Sequence, residues 1–183
     1  MRAGRLDTPA ELLDLQADLS VRCLDWLWFS INSKESADPP APTGLRSPAK
    51  VAVRSWYDPR LAQGRYLRAA ERLLLIDDVR DFRGDRAEVA ITCSELVGQA
   101  GQYLPADGTP RCCRVHLTHE APYRDELGQV VSYMTRAEMA IIEVGRPQEG
   151  DQLRVEGDLY VVSNYAGSSD DGVVRGLWLQ PVE

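Results

Sequence analysis

The chain contains one stretch twice. Gln63-Gly64-Arg65-Tyr66-Leu67-Arg68-Ala69-Ala70-Glu71-Arg72-Leu73-Leu74-Leu75-Ile76 returns as Glu149-Gly150-Asp151-Gln152-Leu153-Arg154-Val155-Glu156-Gly157-Asp158-Leu159-Tyr160-Val161-Val162. The offset is constant at 150 − 64 = 86, with Gly, Leu, Arg, Leu and an aliphatic pair in register. A repeat constrains architecture more than any local propensity does. This period is too long for a solenoid unit and two copies are too few, so the repeat predicts two small domains of one kind in tandem. A chain of 183 residues gives each enough length for a modest core.

Local patterning predicts that both are built of strands. Leu24 to Ile31 is aromatic and aliphatic without Gly or Pro, and Lys50 to Tyr57 alternates as a half-buried strand does. Tyr66–Arg68 and Leu73–Val79 flank the polar break Ala69-Ala70-Glu71-Arg72, as a hairpin would, and Ala87 to Cys93 closes the unit. In the second half Arg114–His119, Gln129–Tyr133, Ala137–Val144, Gln152–Val155, Leu159–Tyr165 and Val173–Leu179 read as strands between Gly, Asp and Ser clusters. The expected class is all-β, two small tandem barrels or sandwiches: residues 1–98, a linker at 99–110, then 111–183. Two segments resist this plan. Thr8-Pro9-Ala10-Glu11 has the form of a helix-starting capping box, with Leu12, Leu15 and Leu19 behind it, while Leu12–Gln16 reads equally as a first strand. Residues 36–48, with Pro39, Pro40, Pro42 and Pro48, are too proline-rich for either and predict a long exposed loop.

Charge and hydropathy limit the functional classes. No run of about 18 apolar residues is present, so no membrane span is expected. The start Met1-Arg2-Ala3-Gly4-Arg5-Leu6 leads into acidic and polar residues and reads as a poor secretion signal. Residues 1–98 carry 14 basic and 15 acidic side chains, and residues 99–183 carry 7 and 13, so most of the net charge of −7 lies in the second half. That balance argues against a grip on nucleic acid, which needs clustered cations to displace counterions from phosphate.

Candidate chemistry is sparse. Cys23, Cys93, Cys112 and Cys113 form no chelating pair and read as free thiols. His116 and His119 lie near two of them, but strand spacing sends their side chains to opposite faces. Asp77-Asp78 and Asp170-Asp171 read as turn carboxylates rather than an acid–base pair. No phosphate-binding loop, dinucleotide fingerprint or serine elbow occurs, so neither an enzyme nor a cofactor is expected. The aromatic residues Trp26, Trp28, Phe29, Trp56 and Tyr57 read mainly as barrel core. Strand alternation adds one constraint: Trp26 and Trp28 share a face, Leu27 and Phe29 share the other, and both cannot line one small core. One face is therefore expected to meet another surface, which makes Trp26 and Trp28 candidates for an assembly interface.

Several of these stretches resemble one family. Met1-Arg2-Ala3-Gly4-Arg5-Leu6 resembles the opening of tailed-phage head–tail joining proteins, also called head-closure or stopper proteins. Lys50-Val51-Ala52-Val53-Arg54 through Gly64, Leu67, Ile76 and Val79 is similar to that family's closing hairpin region. Asp125-Glu126-Leu127-Gly128-Gln129 resembles its first hairpin turn, and Gly150 to Val162 its last hairpin. The resemblance covers most of the chain. It implies a small β-barrel protein of the virion, assembled in the cytoplasm of a bacterial host, that forms a ring in the phage neck. Such a ring joins the portal or an adaptor on the capsid side to tail proteins, and helps retain DNA that passes through without specific binding. The chain departs from the family pattern by carrying a second barrel, and its first unit lacks the Asp-x-x-Gly hairpin. Six two-barrel subunits mimicking a twelve-fold ring and a ring of twelve subunits are both open. Asp38, Pro39, Pro40, Pro42 and Gly44 of the Pro-rich loop are further candidates for reaching a neighbour. The alternative is a tandem SH3- or OB-like module that binds a peptide or nucleic acid.

Overall fold

The protein, described here by a computed structural model over residues 6–33, 43–124 and 127–182, is nearly all β. It divides into two compact units, Met1–Leu96 and Val97–Glu183. The first contains β1 (Thr8–Leu15), β2 (Val21–Ser33), β3 (Arg46–Trp56), β4 (Tyr66–Ala69), β5 (Arg72–Arg80) and β6 (Glu88–Leu96). These form a closed barrel in the order β1-β2-β3-β6-β5-β4, sealed by antiparallel pairing of β1 with β4. The second contains β7 (Gln99–Leu104), β8 (Arg111–Arg124), β9 (Val130–Ala140), the single helical turn α1 (Ile141–Val144), β10 (Gln152–Val155), β11 (Asp158–Tyr165) and β12 (Val174–Pro181). Its barrel closes in the order β7-β8-β9-β12-β11-β10, the same topology strand for strand.

The correspondence extends to single residues. Tyr66 pairs with Leu75 and Ala69 with Arg72; 86 positions later, Gln152 pairs with Val161 and Val155 with Asp158. The register slips between Ile76 and Asp78 in β5 and between Val162 and Asn164 in β11, so the bulge sits at the same place in both barrels. Gly64 and Gly150 open the two hairpins at φ +84° and +88°, where only glycine is unstrained, and their N–H groups donate to the carbonyls of Ile76 and Val162.

The two cores follow the same positions with different side chains. Phe29 pairs with Ser55 and Val115 with Met139, which makes Phe29 the counterpart of Val115. Leu12 opposite Leu67 and Tyr103 opposite Leu153 are counterparts in the same way. All four are buried, so the large aromatic lies on β2 in one barrel and on β7 in the other. Exchanging bulk between neighbouring positions keeps the core volume nearly constant, which close-packed interiors require.

The structure decides one open choice and corrects several expectations. Of the helix and the strand open for the N-terminal segment, residues 8–15 take the strand: Ala10 and Leu12 turn inward with period two, and Leu19 sits in a turn at φ +64°. Pro9 is tolerated because β4 begins to pair only at Glu11, so the missing N–H breaks no bond of the closing ladder. The expected linker at 99–110 begins with β7, which seals the second barrel, and the boundary lies at Leu96. Gly101 lies within that strand because the wall packs tightly: a Cβ there would meet Val115 Cγ2 at 2.7 Å. The segment 137–144 is the end of β9 followed by α1, not one strand. The Pro-rich loop is shorter than expected at its far end, because β3 starts at Arg46 and takes in Pro48 at an irregular register between Arg46 and Lys50.

Candidate functional site

The outer face of the first barrel carries a row of tryptophans. Trp26 and Trp28 alternate with inward-packing Leu27 and Phe29 along β2, and remain 60% and 56% exposed. Trp56 on β3 is 63% exposed and pairs with Glu88 of β6, while Pro9 of β1 pairs with Trp28. The Phe29–Ser55 register continued by one residue sets Trp28 beside Trp56, and Ser55 Oγ donates to the Trp28 carbonyl at 3.1 Å to hold it there. Trp26, Trp28, Trp56 and Tyr57, together with Leu6 and Asp58, line an open groove of about 750 Å³. Monomers seldom leave several large aromatics grouped in water without a partner for them.

One end of this face is held by charge. The Arg60 guanidinium donates to Asp58 Oδ1 at 2.9 Å and Oδ2 at 2.7 Å, and to Asp25 Oδ2 at 2.6 Å. Arg60 holds the Asp58 carboxyl below the usual carboxylate range, and the Trp26 N–H followed by Arg60 does so for Asp25. Both carboxylates therefore stay ionised, and the pairs fasten the 58–60 corner to β2 next to Trp26. Tyr57 is set by its N–H to Ala87 O at 3.0 Å and by the Arg86 guanidinium over its ring at 5.9 Å.

In the second barrel the same face is covered at two of the three positions, while the third, Cys112, stays exposed. By the paired registers Cys112, Arg114 and Ala140 take the places of Trp26, Trp28 and Trp56. Ile141, Ile142 and Val144 of α1 are buried, and Glu143 fixes Arg114 by accepting from its N–H and its Nε, both at 2.9 Å. β8 carries no aromatic at the positions of Trp26 and Trp28, its Tyr123 lying further along against Trp178, and the helical turn covers Arg114 and Ala140. The first barrel has tryptophans there and no such turn.

The structure thus separates the aromatic residues that the sequence read together. Only Phe29 belongs to the core; Trp26, Trp28 and Trp56 point to solvent, correcting the expectation that most were core. The earlier argument from alternation identified Trp26 and Trp28 as the surplus face. Trp56 was missed as part of it, although its alternation with buried Ser55 and Val53 carries the signal. Asp38, Pro39, Pro40 and Pro42 lie outside the described residues, and Gly44 sits half-buried in a bend just before β3.

Other candidate groups have structural partners. Lys50 Nζ, Asp77 Oδ2 and Ser94 Oγ join at 2.6–3.0 Å, but Ser94 is fully buried and the cluster pins the β5 bulge. Asp170 and Asp171 accept from backbone N–H groups of their own turn. Burial pushes the Cys93 and Cys113 thiols up to about 12, away from thiolate chemistry. Asp151, 3% exposed, accepts from Tyr103 Oη at 2.5 Å, Gln148 N at 2.6 Å and Ala106 N at 2.9 Å. Burial alone would raise its pKa, yet these three donors together hold it below the ordinary value. It ties the loop before β10 to β7. Among the described residues, no three His, Cys, Asp or Glu side chains converge as a metal site would require, and no helix is long and apolar enough to cross a membrane. Compared with known protein families, with curated proteins and with solved structures, the chain matches none.

Proposed function

We propose that the chain is a structural protein of a tailed-phage virion, a neck component that forms a ring of six or twelve copies and joins the capsid portal side to the tail. The observation that carries this reading is the difference between the two outer faces: the first barrel keeps Trp28 and Trp56 bare where the second holds Arg114 and Ala140 against α1. A ring closed by rotation needs unlike surfaces on each subunit, so that one patch meets a different patch on the next. Two barrels of one topology with different faces supply that asymmetry inside a single polypeptide. The net charge of −7 suits a channel through which DNA passes without being gripped. Imaging of the purified protein, alone and mixed with portal and tail components, tests the reading: closed rings that bridge the two are expected, and a monomer that binds neither would overturn it.

A second reading is favoured by the same groove. A tryptophan-lined trough on a small barrel also suits a module that recognises an extended peptide. Titration with peptides when no ring forms would favour that reading over the first.

A further inference from the structure

We infer that the tryptophan groove of the first barrel receives the Pro39-Pro40-Ala41-Pro42 stretch of a second copy of this chain. The inference rests on the ring reading, for which it supplies the contact between subunits. The groove's chemistry selects the occupant. Trp26, Trp28 and Trp56 present indoles just beyond the end of the β2–β3 ladder, where Asp25 Oδ1 already accepts the Trp26 N–H and Ser55 Oγ donates to the Trp28 carbonyl. Such a surface offers flat apolar faces and few hydrogen bonds. A proline-rich segment matches it: pyrrolidine rings pack on indoles, the backbone has few N–H groups to satisfy, and its restricted φ lowers the entropy lost on binding.

The chain carries a single pair of prolines at the spacing that this mode uses, Pro39 and Pro42. With three residues per turn in a polyproline helix, positions three apart share one edge.

Chain length keeps Pro42 off its own groove, so seating both prolines of the stretch takes another copy. Pro42 is four residues from Arg46, the first residue of β3. Even fully extended, four residues span only about 14 Å. Trp56 is ten residues further along β3, roughly 30 Å away at the rise of a strand. On the other side, β2 ends at Ser33, five residues beyond Trp28. Ser33 and Arg46, which bound the stretch in sequence, both lie toward the barrel end away from Trp56, and the four residues from Arg46 to Pro42 are more than about 10 Å too short to reach it. A neighbouring subunit in a head-to-tail ring has no such limit, and the contact it makes is heterologous, as ring closure requires.

The test uses the full-length chain. A variant with Pro39→Ser, Pro40→Ser and Pro42→Ser keeps the groove and loses the arm; a synthetic peptide of residues 36–48 is titrated onto it while tryptophan fluorescence is followed. Saturable binding is expected, weakened at least about tenfold by Trp28→Ala or by the same three serines in the peptide. Circular dichroism checks that each variant is folded, and Trp56→Ala serves as the second groove variant if Trp28→Ala is not. No binding, binding unaffected by either tryptophan change, or equal binding of a scrambled peptide overturns the inference. Mixing the triple-serine variant with Trp28→Ala gives an independent readout, because each lacks one half of the contact. Pairs of one copy of each are expected where neither associates alone. If the triple-serine variant still forms wild-type rings, the inference fails while the ring reading stands. If the wild type stays monomeric at every concentration, the ring reading and the inference both fail.

Discussion

At the position of Trp28 in the first barrel the second barrel holds Arg114, and the two residues end in opposite situations: one indole in water, one guanidinium locked to Glu143 beneath a helical turn. At the position of Arg65 the second barrel holds Asp151. Arg65 makes a long ion pair to Asp14 at 3.7 Å and also donates to the Arg60 carbonyl, whereas Asp151 is a buried acceptor for three donors. The strands, the bulge and the closing pair are common to both barrels, so these differences are not demands of the fold. They are what each copy has made of the same skeleton. At these two positions the second barrel has made internal ties, where the first keeps an indole in water and a partly solvated ion pair.

Six substitutions and one labelling experiment sharpen or break this contrast. The largest effect belongs to the shared core. Leu67→Ala and Leu153→Ala remove the same residue from equivalent fully buried sites, and each is expected to cost about 2–5 kcal/mol in denaturant unfolding. A loss at one site alone would deny that the barrels are equivalent.

Asp151→Ala comes next. It strands the Tyr103 hydroxyl and two backbone N–H groups, at an expected cost of about 2–4 kcal/mol. Arg65→Ala, at the matching position, is expected to cost under about 1 kcal/mol because its ion pair is long and partly solvated. Because the folded pKa of Asp151 is depressed, its contribution is complete above the unfolded carboxylate value of about 3.9 and is lost as pH falls through the lower folded value. The stability gap between wild type and Asp151→Ala is thus expected to be flat from neutral pH to about 5 and to shrink below about 4. A gap that changes around neutrality would assign the effect to another group.

Smaller again is the contrast between the two faces. Arg114→Ala takes the guanidinium from Glu143 and leaves it only the backbone N–H of residue 114, and is expected to cost about 1–2 kcal/mol. Trp28→Ala is expected to change monomer stability by no more than about 0.5 kcal/mol, as removal of an exposed side chain should. A cost of several kcal/mol would mean that Trp28 is core after all. The least perturbing probe is thiol labelling of the native chain: exposed Cys23 and Cys112 react, and buried Cys93 and Cys113 do not. Cys112 occupies the counterpart of Trp26, so its reactivity reports directly on the register that relates the two barrels.

Much of this was legible in the sequence because strand alternation and a fixed offset are properties of the chain alone. The 86-residue repeat covered β4 and β5 with their counterparts β10 and β11, where the offset never changes. It faded over β1 and β7 because there Leu12 corresponds to Tyr103, an offset of 91 set by unequal turns that no local signal reveals. That is why Gln99–Leu104 read as a linker: Gly98 and Gly101 look like a flexible joint until the close approach of Val115 is known. Thr8–Glu11 left helix and strand equally open for a related reason, since a capping motif competes with a strand whose partners lie about 15 and 55 residues away. The tryptophan row was half legible. Alternation within β2 exposed Trp26 and Trp28, but joining Trp56 to them required the pairing of β2 with β3, which is tertiary information.

The account turns on one claim, that the first barrel's bare face is an assembly surface and the second barrel's covered face is not. Native mass measurement of three proteins tests it most directly: wild type, Trp28→Ala/Trp56→Ala, and Arg114→Ala. The expected result is a closed oligomer of six or twelve copies for the wild type and for Arg114→Ala, with a folded monomer for the double tryptophan variant. A wild type that remains monomeric, or a tryptophan variant that still assembles fully, would contradict it.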